Sequence, residues 1–358
     1  MDHPLARREG AAILLLLAAL LGGQGGVLGS ARAEDQPAPN TPEEPLAAAL
    51  SFERAAAFLD AVAVTWTRQR RCGTCHTNYP YLVARPVLGG TALGGLEEVR
   101  RFFEDRVAHW EDDDPKAKPR WDTEVVATAA TLAMNDAATT GRLHPLTRKA
   151  LDKMWTLQRP DGSWDWLKCD WPPFEQDDYF GAVYAALGVG LAPEGYRDTE
   201  AARRGLERLR GYFAAHPAPS LHHKAYLFWA SLHLDGLMRP AEREATIQDL
   251  LALQRPDGGW NLPSLGDWSR RDGSPNDKNA PSDGYATGLV IYILRQAGLP
   301  SDREPIQRGA AWLRSHQRRS GRWFTRSLNH DEAHYITHAR TAFAVLALKA
   351  CEAGGARP

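Results

Sequence analysis

Two segments repeat each other almost letter for letter: Leu157-Gln158-Arg159-Pro160-Asp161-Gly162-Ser163-Trp164 and Leu253-Gln254-Arg255-Pro256-Asp257-Gly258-Gly259-Trp260. A looser copy runs from Gln317 through Gly321 to Trp323, and Gln69, just before Cys72, reads as a vestige of another. A Pro-Asp-Gly turn cannot continue a helix, so each copy should stop one helix, clamp the stop with a Trp and hand the chain on. Repetition of this kind implies an array of similar units, which constrains the fold more than any other feature of the chain.

The stretches between the repeats alternate between two kinds. Segments 52–70, 96–110, 146–158, 200–215, 242–254 and 305–317 are amphipathic and charged. Segments 123–135, 179–191, 224–237, 285–299 and 337–351 are small and apolar nearly all round, and the stretch after Cys75 supplies a sixth. A helix that is apolar on every side must be buried on every side. Six such pairs fit an inner ring enclosed by an outer ring better than an open solenoid, which would leave the apolar helices wet. The expectation is an all-α fold, an (α/α)6 toroid of about twelve helices over residues 46–352.

Residues 1–33 are read as a signal peptide: Arg7 and Arg8 precede an apolar run from Ala11 to Leu21, and Ala31-Arg32-Ala33 offers a cleavage site. The mature chain would be periplasmic or secreted, with a disordered lead at 34–45, no membrane span and a tail at 353–358. A net charge of -1 gives no pull toward nucleic acid.

With the repeats in place, the chain resembles the squalene–hopene cyclases, whose QW repeats look like the Gln-to-Gly-x-Trp segments here. The alternation of outer and inner helices is similar to protein prenyltransferase β subunits. The resemblance implies the toroid and a central cavity for an apolar small-molecule or lipid ligand, with cyclase, isomerase or transferase chemistry if the protein is an enzyme. Glu175-Gln176-Asp177-Asp178 resembles the acid motif of terpenoid cyclases with Glu in first place, which implies Asp177 as proton donor beside Asp178. Asp283 and His338 resemble two of the three prenyltransferase zinc ligands, with Tyr285 where the family has Cys.

Aligned on their apolar bodies, the inner helices place Asp177, His223, Asp283 and His338 at one mouth. Trp164, Trp166, Trp171, Trp260, Trp268, Tyr179 and Tyr285 would form an aromatic rim around it. Acidic residues are also preferred helix caps, so Asp177 and Asp283 have a purely structural reading too. His334 and His338, four apart, could share a helix face and a metal.

Cys72-Gly73-Thr74-Cys75-His76 meets the attachment pattern of covalent haem c, with His76 as an iron ligand, and export would take it to the right compartment. Two other readings use the same atoms. Cys72 and Cys75 could form a disulfide, or Cys72, Cys75 and His76 could hold zinc with Cys169 or His338. Three functions follow: an apolar-ligand toroid using Asp177, Asp178 or Asp283; a haem-carrying redox protein; or an extracellular interaction scaffold without chemistry.

Overall fold

A computed structural model describes residues 41–90, 94–112, 121–331 and 338–353. The expected signal peptide, most of the lead, His334 and nearly all of the tail lie outside the described residues. Among the described residues there are twelve α-helices and no β-strand, only isolated bridges.

The outer helices are α1 (Phe52–Arg70), α3 (Gly94–Ala108), α5 (Pro145–Leu157), α7 (Glu200–Ala215), α9 (Pro240–Ala252) and α11 (Glu304–Ser315). The inner helices are α2 (Asn78–Ala84), α4 (Trp121–Thr139), α6 (Asp178–Leu191), α8 (Leu221–Ser231), α10 (Gly284–Gln296) and α12 (His338–Glu352). Each inner helix packs on the next, α2 on α4 and so on to α12, and α12 packs back on α2. The ring is closed, as the all-apolar helices require: an (α/α)6 toroid. Inner helices approach closely where small residues permit it. A Cβ on Gly188 of α6 would fall 2.4 Å from Ala130 of α4, and one on Gly288 of α10 would fall 2.6 Å from the backbone of Ala344 in α12.

The repeated turn has one construction in all three copies. The Gln amide donates to the glycine carbonyl four residues on and to a carbonyl of another outer helix or its N-cap. Gln158 reaches Gly162 and Gly205, both at 3.0 Å; Gln254 reaches Gly258 and Pro305, both at 2.8 Å; Gln317 reaches Gly321 and Ser51, both at 2.9 Å. Each Trp indole N–H ties back to the last turn of its own helix, Trp164 to Met154 O, Trp260 to Leu250 O and Trp323 to Leu313 O. The glycine is required twice over: its φ is +98°, +93° and +95° in the three copies, and a Cβ there would strike the carbonyl of Arg208, Arg308 or Arg54. The modules thereby join α5 to α7, α9 to α11 and, across 266 positions, α11 to the N-cap of α1.

Several expectations need correction. Gln69 forms no such module: it is exposed in the last turn of α1, which ends at Arg71 in the left-handed region. α8 begins at Leu221 rather than 224 and ends at Ser231, because Ser220 caps it, its Oγ accepting from the His223 amide. The end of the expected disordered lead is tied down. Glu44 pairs with the buried Arg322, its carbonyl accepts from Arg318, and Ala47 N donates to Gln317 O at 2.8 Å. Trp164 and Trp260 are fully buried at outer-helix ends and are not rim residues.

Gln317→Ala should destabilise the fold by about 1–3 kcal/mol, because it takes the side-chain partner from Ser51 N–H and Gly321 O and leaves Ser51 O only its bond from Ala55 N. Thermal unfolding should show a midpoint lower by several degrees, whereas substitution of the exposed Gln69 should leave it unchanged.

Candidate functional site

The inner helices start at one mouth, and their first residues are mostly occupied as caps. Asp177 caps α6, Oδ1 accepting from Phe180 N at 3.0 Å, while Oδ2 lies 3.2 Å from His223 Nε2. Burial pushes the Asp177 pKa up, but His223 and the helix amides outweigh it and hold the carboxyl below its ordinary value. Asp178 is braced by Arg159 at 3.1 Å and Lys168 at 2.5 Å and accepts from Trp166 N at 3.0 Å. Asp283 caps α10 and accepts four hydrogen bonds, from Tyr285 N, Ala286 N, Thr325 Oγ1 and Leu262 N. Burial raises its pKa despite these donors. A cyclase acid must be kept protonated, whereas Asp177 is held below its ordinary pKa; Asp283 spends Oδ1 on three donors and accepts one more on Oδ2.

The rim differs from expectation in the same way. Tyr285 is fully buried, its Oη 2.7 Å from His222 Nε2 and 3.3 Å from Tyr226 Oη. Burial, and then His223, push the His222 pKa well down, so its ring is neutral. Arg340, 1% exposed, lies over the Tyr285 ring and donates to Arg326 O at 2.8 Å. Tyr179 packs edge-on against Phe213 and His223. Trp166 is buried and donates to Phe174 O at 2.7 Å; only Trp171, set against His330, is partly open.

The loop from 167 to 177 fills the mouth. Phe174 packs on His76, Phe180, His222 and Tyr285 with ring separations of 5.3–5.9 Å. Beneath it the central cavity, walled by Tyr79, Val83, Met134, Tyr226, Trp229 and Phe343, holds about 30 Å³. That is room for a water, whereas ligand pockets run to hundreds of cubic ångströms. The large opening lies elsewhere on the mouth, a cleft of about 700 Å³ lined by Asp257, Asn276, Asp277, Phe324, Arg326 and Asp331 among others. Asp283 forms part of its floor. Asp331 takes both oxygens to Arg326 at 2.7 and 2.8 Å and accepts from Arg270 at 2.9 Å. Arg326 above all, with Arg270, outweighs the effect of burial and holds the Asp331 pKa down to about 2.

Cys72-Gly73-Thr74-Cys75-His76 forms a turn locked by Asn78, which accepts from Thr74 N and donates to Cys72 O. Cys72 is exposed and Cys75 buried, and all four cysteines are free thiols, so the disulfide reading does not hold in this structure. His76, 2% exposed, has Nε2 at 3.3 Å from Glu175, whose other oxygen accepts from Cys169 Sγ at 2.9 Å. Burial, then Glu175 and Cys169, push the Cys75 thiol well up. His338 lies against Phe58 of α1, and among the described residues no three His, Cys, Asp or Glu side chains could together hold a metal ion.

Sequence reasoning missed His222, Tyr226, Glu175 as the partner of His76, and most of the cleft. Ser220-x-x-His223, a capping residue three before a histidine, was a visible signal for the start of α8 and went unread.

No described helix is long and apolar enough to cross a membrane. No protein-family model matches the sequence, and no curated protein matches it. The chain is similar in fold to a solved polysaccharide lyase, with a TM-score of 0.51 and 11% identity, over 84% of this chain and 97% of that one.

Proposed function

We propose that the protein is an exported toroid that binds a polar, oligosaccharide-like ligand in the 700 Å³ cleft at its mouth. The observation that carries this reading is the contrast between that cleft and a central cavity of about 30 Å³. Carboxylates, an amide and a fixed guanidinium beside an aromatic face suit sugar hydroxyls, which need both donors and acceptors at set positions. Arg326 is already matched by Asp331, so the carboxylates of Glu43, Asp257 and Asp277 leave the lining net acidic. A neutral or amine-bearing glycan is therefore favoured over a uronate. The solved toroid it is similar to is a polysaccharide lyase; that name belongs to the other protein and indicates a ligand class to try. The residues at 1–33 support export and fit a ligand met outside the cytoplasm.

The reading is tested by calorimetric titration with cello-, chitosan- and galacturonate oligosaccharides. Cello- or chitosan oligomers should bind, galacturonates least, and Asp277→Asn with Arg326→Ala should weaken binding about tenfold or more. Absence of binding to all three, or binding indifferent to both substitutions, would contradict it.

A second reading keeps the apolar ligand in the central cavity, favoured by the almost wholly apolar walls there, and requires Phe174 and Phe180 to swing aside. Organic extraction of the purified protein followed by mass spectrometry should then release a stoichiometric apolar molecule; an empty extract counts against it. Colour and metal content of the same sample decide the haem and zinc readings of Cys72, Cys75 and His76.

A further inference from the structure

Ser220, His223 and Asp177 stand in line. Ser220 Oγ lies 2.7 Å from His223 Nδ1, and His223 Nε2 lies 3.2 Å from Asp177 Oδ2. Helix capping accounts for part of this, since Ser220 Oγ accepts from His223 N at 3.3 Å. It does not account for the imidazole turned back onto the same oxygen, nor for its far nitrogen facing a carboxylate on a different helix. Asp177 stands within ion-pair distance of Nε2; with the imidazole proton on Nε2, the Nδ1 lone pair is left for the serine hydroxyl. The ring is 2% exposed and fixed between Tyr179, Phe180 and His222, while Ser220 is partly open and Asp177 about a third exposed at 32%.

The position of the hydroxyl adds a second element. Ser220 is the N-cap of α8, so the amides of Leu221 and His222, the first two of the helix, have no partner within it and lie at its positive end. Donors directly after a nucleophile are placed to hold an oxyanion. Gly266 packs closely beside Ser220 and Trp268: a Cβ there would fall 3.0 Å from the serine Cβ and 2.7 Å from the indole, so a side chain at 266 would displace the hydroxyl from its present setting.

We propose that Ser220, His223 and Asp177 form a nucleophilic triad that hydrolyses small carboxylic esters at the toroid mouth. Ser220 Oγ bonds to the acyl carbon and its proton passes to His223 Nδ1, while Asp177 holds the imidazolium. The bond from acyl carbon to alkoxy oxygen breaks, and the leaving alcohol takes the proton from His223. Water then gives a proton to His223 and its oxygen to the acyl carbon; the bond from acyl carbon to Ser220 Oγ breaks, Oγ takes the proton back from His223, and the acid leaves. The triad stands independently of glycan binding in the cleft, and either can fail with the other intact.

The test uses a fluorophosphonate probe and p-nitrophenyl acetate on the full chain. Mass spectrometry should place the phosphonyl group on Ser220. Ser220→Asn should abolish labelling and turnover, and because Asn caps helices as well as Ser does, its unfolding midpoint should stay near that of the parent. Asp177→Asn likewise keeps a cap for α6 and should lower kcat by about 100-fold or more with KM little changed, which loss of a cap alone would not do. No labelling, labelling that persists in Ser220→Asn, or an unchanged kcat in Asp177→Asn would each overturn the proposal.

Discussion

The structure depends on a hydrogen-bonded hand-off between outer helices, made by a Gln side chain that no neighbouring backbone could replace. Gln158, Gln254 and Gln317 each donate to one carbonyl of their own turn and to one of another outer helix or its N-cap. The glycine at positive φ lets the turn press against that helix, and the Trp seals the junction from water. Gln317 reaches Ser51 and so joins the last repeat to the first. The buried pair of Arg322 and Glu44 and the backbone contact of Ala47 support the same seam. A buried ion pair adds little net stability, but breaking one side is costly, which gives this seam a definite register.

Closing the ring fixes what the mouth can do. The inner helices begin there, and at three of them, α6, α8 and α10, the starting residues Asp177, Ser220 and Asp283 are drawn into capping. Caps hold side chains still, so the mouth offers oriented groups rather than loosely held ones. Asp177 and Ser220 each have atoms left over for His223; Asp283 does not. Phe174 packs over the centre, and the turns after Trp260 and Trp323 lengthen into the walls of the cleft.

The ring was legible because its signals are local: a turn with Pro, Asp and Gly cannot be helix, and a segment such as 179–191 with no polar face cannot lie at a surface. The mouth was less so. Nothing in the sequence says that Trp164 and Trp260 point into the packing between helices, since an indole reads the same at a rim or in a core. Nor does Cys75-His76 announce that Glu175, a hundred positions later, will lie against it. The cleft gathers residues from Glu43 to Asp331, and its shape follows from packing that no short window contains. The start of α8 is set by Ser220, a polar residue ahead of the apolar body, which an apolar pattern alone does not mark.

Native-state hydrogen exchange across a denaturant series tests ring closure most directly. A closed ring opens as one unit, so amides in α1, α11 and α12 should exchange with the same free energy and denaturant dependence as those in α4 and α6. If α1 and α2 open at markedly lower free energy while α4 to α10 stay protected, the seam at Gln317 and Ser51 does not hold the toroid closed, and the protein behaves as an open array.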